Sequence, residues 1–262
     1  MSTLPNRRSE EEFTWVSDAE AGKTLLTGLK VSGEAVWPIG SIPASALRSH
    51  AARKHWYEIP ARISYRIVEI LVALCGLILT LPVTVIIAWI IRRDSPGPAV
   101  FRQIRLTRNL RPFTFYKFRT LYADARQRFP ELYSYSYTPE QMASLYFKTD
   151  SDPRVTRVGK WLRRTTLDEI PNLFNLLRGE VTMVGPRPEI PEMLPSYRTD
   201  QLLKFAVKPG LTGLAQVSGR NRLTMEETIA CDLAYVRNRS WRLDLWILMM
   251  TFKRVIARDG AL

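Results

Sequence analysis

Thiols are scarce. Of 262 residues only Cys75 and Cys231 are cysteine. Cys75 lies in an apolar run and Cys231 stands alone near the C-terminus, so no disulfide framework and no cysteine metal spacing is spelled out. A reducing compartment is the expectation. No apolar stretch follows a basic start at the N-terminus, where Ser9, Glu10, Glu11 and Glu12 are polar or charged, so no secretory leader is expected. Internal repeats and low-complexity tracts are lacking too, which excludes solenoids and compositional tails. No nucleic-acid recognition module is recognisable, and no nucleic-acid partner is expected.

What the chain does have is positive charge. The formal net charge is +13, and 46% of the residues are hydrophobic, a normal share for a folded domain. A basic excess of that size points to phosphate-rich partners: nucleic acid, anionic lipid or phosphorylated small molecules.

Residues 1–60 read as an N-terminal extension, poorly ordered, with no sustained helical or strand period. Gly22-Lys23-Thr24 has the end of a phosphate loop, but that pattern needs glycine where Ser17 stands. Ile70 to Ile91 is apolar and without charge, long enough to cross a bilayer, which takes about 20 such residues. Two features favour a helix that enters and returns over one that spans. Pro82 sits in the middle, where it removes a backbone hydrogen bond and kinks a helix. Basic residues flank both ends, Arg62 and Arg66 before, Arg92 and Arg93 after, and positive charge is retained on the cytoplasmic side. Thr80 and Thr84 are placed to satisfy backbone groups freed at a bend.

Asp94-Ser95-Pro96-Gly97-Pro98 reads as an exit turn. Val100 to Gln103 and Phe113 to Phe118 read as the strands of a hairpin. Met225 to Val255 has a helical pattern, and its end, Trp241 to Arg254, mixes apolar and basic residues as a surface amphipathic helix does; a core helix fits equally well.

Thr166 with Glu169 three residues later has the form of a capping box, so a helix is predicted from Thr166 to a stop at Gly179. Asp168 and Glu169 then lie in its first turn. Acids favour helix N-termini for dipole reasons alone, so the pair by itself is a weak signal. Its surroundings strengthen it. Arg163 and Arg164 precede it, Lys117 and Arg119 end the second strand, Arg154 follows Asp152-Pro153, and Arg187 is held between Pro186 and Pro188. Carboxylates among cations suit phosphoryl chemistry. One acid attacks phosphorus, a second holds Mg²⁺ by oxygen, and arginines neutralise the transferred group. Lys208 to Arg220, with three glycines and Gln216, reads as a ligand-approaching loop.

Taken in order, these pieces resemble the bacterial sugar transferases, also called monotopic phosphoglycosyl transferases. They are the proline-centred membrane segment, Asp94-Ser95-Pro96-Gly97-Pro98, Tyr116-Lys117-Phe118-Arg119, Asp152-Pro153-Arg154-Val155-Thr156, Leu167-Asp168-Glu169-Ile170-Pro171, Val184-Gly185-Pro186-Arg187-Pro188 and the Lys208–Arg220 loop. The resemblance covers about residues 62–262. It departs at Leu81, where the family has serine, at Asn172, where it has glutamine, and at Thr120-Leu121, where it has Ser-Met.

The resemblance implies an α/β or α+β fold: a membrane re-entrant helix broken at Pro82 (residues 61–93), then a compact cytoplasmic catalytic domain (94–262) with a small sheet and surface amphipathic helices. It implies transfer of a hexose 1-phosphate from a UDP-sugar to undecaprenyl phosphate at the inner leaflet, with release of UMP. Asp168 would be the nucleophile, Glu169 would hold Mg²⁺, and Lys117, Arg163 and Arg187 match family positions near the substrate phosphates. Arg119 and Arg154 are further candidates for phosphate contact, and Asp168 is a second candidate metal ligand. Lys208, Gln216 and Arg220 would contact the nucleotide. A homodimer is compatible with this class. The competing readings are a non-catalytic scaffold for anionic lipid and a metal-dependent lipid phosphatase.

Overall fold

The computed structural model describes residues 58–133, 135, 137–146, 152–219 and 222–257. The expected extension, except for residues 58–60, lies outside them, as does Arg220. Eight α-helices and four strands are present among the described residues: α1 (Glu58–Asp94), β1 (Val100–Leu106), β2 (Pro112–Phe118), α2 (Ala125–Arg128), α3 (Pro139–Ser144), α4 (Arg157–Thr165), α5 (Asn172–Arg178), β3 (Thr182–Val184), β4 (Gly210–Thr212), α6 (Leu214–Ser218), α7 (Met225–Asn238) and α8 (Trp241–Ala257). The sheets are small, as expected. β1 and β2 form an antiparallel hairpin, and β3 pairs with β4 in parallel.

α1 is a single helical element of 37 residues that continues through Pro82. The expected helix–break–helix is therefore not what the backbone shows. Proline deletes one N–H from the ladder, and Thr80 donates its hydroxyl to the Gly76 carbonyl at 2.6 Å, within the same turns. One missing bond is tolerable where the flanking turns stay intact.

The rest of the domain docks on both shoulders of α1. At the N-terminal shoulder Arg66 donates to the carbonyls of Leu176 (2.8 Å) and Leu177 (2.6 Å) in the last turn of α5, where the helical ladder runs out and only the Gly179 N–H also reaches Leu176, at 3.0 Å. Gly179 closes α5 at φ +72, a left-handed value that favours glycine, and a Cβ at that position would press on the Arg66 guanidinium. Glu69 is buried; it accepts from Arg66 at 3.0 Å, from the Met183 N–H at 3.1 Å and from the Thr182 hydroxyl. Ala73 joins a core with Phe113, Phe115, Leu176 and Val181. At the C-terminal shoulder Ile87 and Ile91 pack with Ala99, Phe118 and Leu162. Between the shoulders α1 stands clear, with Ile78 69% and Leu79 76% exposed and Leu81, Val85 and Ile86 also open.

The predicted helix from 225 to 255 is two helices. α7 starts in a true capping box, in which the Thr224 hydroxyl accepts from the Glu227 N–H and Glu227 from the Thr224 N–H. The chain turns at Arg239-Ser240, and Ser240 accepts from the Leu243 N–H at 3.2 Å to start α8. α6, α7 and α8 share a core around Tyr235, Leu243 and Ile247. α8 buries that face and leaves Trp241, Leu245, Met249, Phe252 and Ile256 exposed along another.

Candidate active site

The acid pair does not start a long helix. Thr166 ends α4 in the left-handed conformation, at φ 60, and makes no side-chain capping bond. Leu167–Glu169 is a short 3-10 turn, and α5 begins only at Asn172. The predicted Thr166–Glu169 capping box is thus wrong, for a physical reason. A left-handed residue cannot present its hydroxyl to the N–H three residues on as an extended cap does. Glu169 is taken instead by Lys117 and by the Asn172 amide, both of which donate to it. Proline at 171 still precedes a helix, and Gly179 still ends it.

The turn is anchored beside α1, since Leu167 and Ile170 pack against the Ile87–Ile91 core. The two carboxylates between them differ in depth. The Asp168 side chain is 11% exposed and that of Glu169 40%. Lys117 Nζ lies 3.7 Å from Asp168 Oδ2 and also pairs with Glu169, so one β2 cation serves both acids.

Why Lys117 reaches them follows from register. β1 and β2 pair Phe101 with Lys117, Gln103 with Phe115 and Arg105 with Phe113. Side chains alternate faces along a strand, so these six residues share one face of the hairpin. Lys117 and Arg105 stand over the Phe115 ring at 5.5 and 4.8 Å. Arg105 was not among the sequence candidates. Reading β1 on to Leu106 with its period of two would have put it on the same face as Lys117. Burial first, then the nearby Arg187 cation, pushes the Arg105 pKa down to about 10, against opposing pulls from Glu189 and Glu169. Arg105 joins the hairpin face of Lys117 to the Arg187 turn, since its Nη1 donates to the Pro188 carbonyl at 2.5 Å.

The other candidate cations separate. Arg163, in the last turn of α4, donates to the Thr120 hydroxyl at 3.1 Å and lies 4.0 Å from Asp152. Burial lowers its pKa, while the charges of Asp152 and then Asp168 act the other way. Arg154 forms a two-pronged pair with Asp152, both contacts at 2.9 Å, and donates to the Leu132 carbonyl at 3.1 Å. Arg119 is 4% exposed, and its guanidinium donates to the carbonyls of Pro96 and of Ser95 (2.6 Å) in the exit turn. That geometry makes Arg119 a clamp on the turn and turns it away from the acid pair. Lys208 is half-buried. Burial and then Arg66 lower its pKa, and its charged neighbours Arg66, Glu69, Arg108 and Arg239 belong to the other shoulder. Gln216 lies in α6 with Oε1 buried and unbonded.

Among the described residues no three His, Cys, Asp or Glu side chains cluster as a metal cage. Magnesium does not need one. It is held by one or two carboxylates, with water and substrate phosphate oxygens completing six ligands. Asp168 and Glu169 supply two carboxylates, and Asn172 Oδ1 beside them is buried with no partner, an oxygen acceptor left over. The donor set is all oxygen and fits that ion.

Comparison with known proteins places the chain. The pattern of the bacterial sugar transferase family matches residues 60–258, and the chain belongs to that family. It is 38% identical over 207 residues to the galactosyl transferase CpsE of Streptococcus agalactiae, covering 79% of this chain and 45% of that one. It is 36% identical over 201 residues to the undecaprenyl-phosphate galactose phosphotransferase of Salmonella typhimurium, covering 77% and 42%. The chain thus spans less than half the length of these two relatives. With the exopolysaccharide production protein ExoY of Sinorhizobium fredii it shares 33% identity over 199 residues, covering 76% of this chain and 88% of the relative.

Proposed function

We propose that this chain transfers a hexose 1-phosphate from a UDP-sugar to undecaprenyl phosphate. The observation that carries the reading is the buried Asp168 beside Glu169, with Lys117 between them and the hydrophobic helix α1 underneath. The activities for which relatives are named, galactose and glucose phosphotransfer to undecaprenyl phosphate, point the same way.

In this mechanism an Asp168 oxygen attacks the β-phosphorus of the donor. The bond from that phosphorus to the bridging oxygen breaks, UMP leaves, and the sugar phosphate is held on Asp168 as an acyl phosphate. A lipid phosphate oxygen then attacks the same phosphorus and the Asp168 carboxylate departs. Lys117, 3.7 Å from Asp168, offsets charge on the phosphoryl oxygens. Glu169, Asp168 and Asn172 would hold Mg²⁺, which supplies charge neutralisation on the diphosphate when bound. Arg163 and Arg187 are the remaining phosphate-facing cations of the proposal. Arg154, paired with Asp152, is kept as a phosphate contact only through rearrangement of that pair.

The attachment of α1 supports a one-sided membrane topology. A helix whose two shoulders both dock on the same domain has both ends on that domain's side, and its exposed middle around Pro82 is the part left for lipid. The basic flanks favour the cytoplasmic side of a bacterial inner membrane for that domain. The exposed apolar stripe of α8, with Arg242 and Lys253 beside it, suits the bilayer surface. Initiation of an exopolysaccharide or O-antigen is the proposed setting.

The test is UMP release from a panel of UDP-sugars with undecaprenyl phosphate and Mg²⁺ in detergent or nanodiscs. Release with one donor identifies the sugar. No release with any donor, from protein that is folded by circular dichroism, contradicts the transferase reading and leaves lipid binding without chemistry.

A further inference from the structure

The turn that carries Arg187 is fixed at three successive residues. The Arg187 N–H donates to Asp232 Oδ1 at 3.4 Å, the Pro188 carbonyl accepts from Arg105 Nη1 at 2.5 Å, and the Glu189 carbonyl accepts from the Leu106 N–H at 2.9 Å. Prolines at 186 and 188 restrict the backbone further. Beneath the turn lies a buried network. Lys204 Nζ is 3.1 Å from Asp232 and 3.8 Å from Glu189, and Tyr197 donates to Glu189 at 2.8 Å. Lys204 thus lies between the two buried acids directly beneath the turn.

Arg105 is the link from this turn to the hairpin. Besides Pro188, it donates through Nε and Nη2 to Gln103 Oε1 at 3.2 and 3.0 Å, and its guanidinium lies over Phe115. Three anchors hold a planar fork in one orientation, which an ammonium on a flexible stem cannot reproduce. Arg105 and Arg187 are also held close enough to repel each other, and a bound diphosphate would relieve that repulsion.

We infer that Arg105 is a positioning residue for the donor phosphates: its guanidinium locks the Arg187 turn against the hairpin that carries Lys117. The inference rests on the transferase reading above, in which Arg187 faces the diphosphate.

The experiment is a double-mutant cycle on UMP release, with KM for the UDP-sugar and kcat measured separately and thermal unfolding followed in parallel. Arg105→Lys keeps the charge and loses the fork; the expected result is a loss of about tenfold in kcat/KM, carried mainly by KM, with an unchanged unfolding midpoint. In an Arg187→Ala background the same substitution is expected to cost nothing further, because residues acting through one another are not additive. Gln103→Ala removes one anchor without touching a charge and is expected to raise KM about threefold, which keeps the test open if the lysine variant is unstable. Full activity of Arg105→Lys in a folded, active protein, or losses that add to those of Arg187→Ala, overturns the inference and spares the transferase reading. A folded wild type that releases no UMP overturns both.

Discussion

Lys117 and Arg119 are two residues apart in one motif, yet they end in opposite environments. Lys117 faces two carboxylates in a half-open site. Arg119 faces the carbonyls of Ser95 and Pro96 in a closed one, where burial lowers its pKa and Asp94 resists the shift. A cation among carboxylates can exchange one anion for another, so it is free to meet a phosphate. A cation ringed by main-chain carbonyls has no anion to exchange, and moving it strands acceptors that water does not reach. Charge in a sequence marks where phosphate chemistry is possible; the partner of each charge decides where it happens.

The largest effect that separates these regions is expected at the acid pair itself. Asp168→Asn keeps the shape but replaces one acceptor oxygen with a donor NH2 and removes the attacking anion, and UMP release is expected to fall by about a thousandfold or more with the unfolding midpoint nearly unchanged. Lys117→Met is expected to lower kcat by roughly 10- to 100-fold, since it removes the countercharge of both acids. For Arg119→Met the expectation is reversed. The exit-turn carbonyls lose their donor, stability falls by about 2–4 kcal/mol in chemical denaturation, and kcat per folded molecule is retained. Were Arg119→Met to be stable and inactive, the contrast between the two cations would fail.

The smallest effect concerns Asp152, and it depends on pH. Burial alone would raise its carboxyl, but hydrogen bonds from Arg154, with the charges of Arg154 and Arg163, hold it below the ordinary value of 3.8. A carboxyl lowered in the folded state contributes stability that is present in full above its unfolded value and is lost as pH falls through the folded one. Wild type is therefore expected to exceed Asp152→Asn in stability by about 1 kcal/mol at pH 7, with the gap closing below about pH 4. Denaturant titrations of both proteins across that range check it.

Much of this was legible before any coordinates. The hairpin appears where the alternating residues end in Lys117, and Gly179 stops a helix because its left-handed φ of +72 suits glycine. The Asp168–Glu169 pair and its nearest cation also came from sequence. Thr166 misled because a capping-box pattern records residue types and not backbone: its φ of 60 makes it the end of α4. At Pro82 the helix runs on without a gap where a break was expected, and a lost hydrogen bond by itself fixes no bend angle. Arg105 was missed because its partners, Gln103 two residues away and Pro188 far along the chain, are joined only by strand pairing and tertiary contact. Arg66 read as a flank of a membrane segment, whereas it and Glu69 find partners on α5 and β3 more than a hundred residues distant.

The central claim is that Asp168 carries the sugar phosphate. It is tested most directly by incubating the protein with labelled UDP-sugar and Mg²⁺ but without lipid acceptor, then locating any label by mass spectrometry of the intact protein and its peptides. The expected result is a hexose phosphate on Asp168, formed with UMP in equal amount, discharged by added undecaprenyl phosphate and absent from Asp168→Asn. Turnover of donor and lipid by a folded Asp168→Asn protein, or label on any other residue, would contradict it.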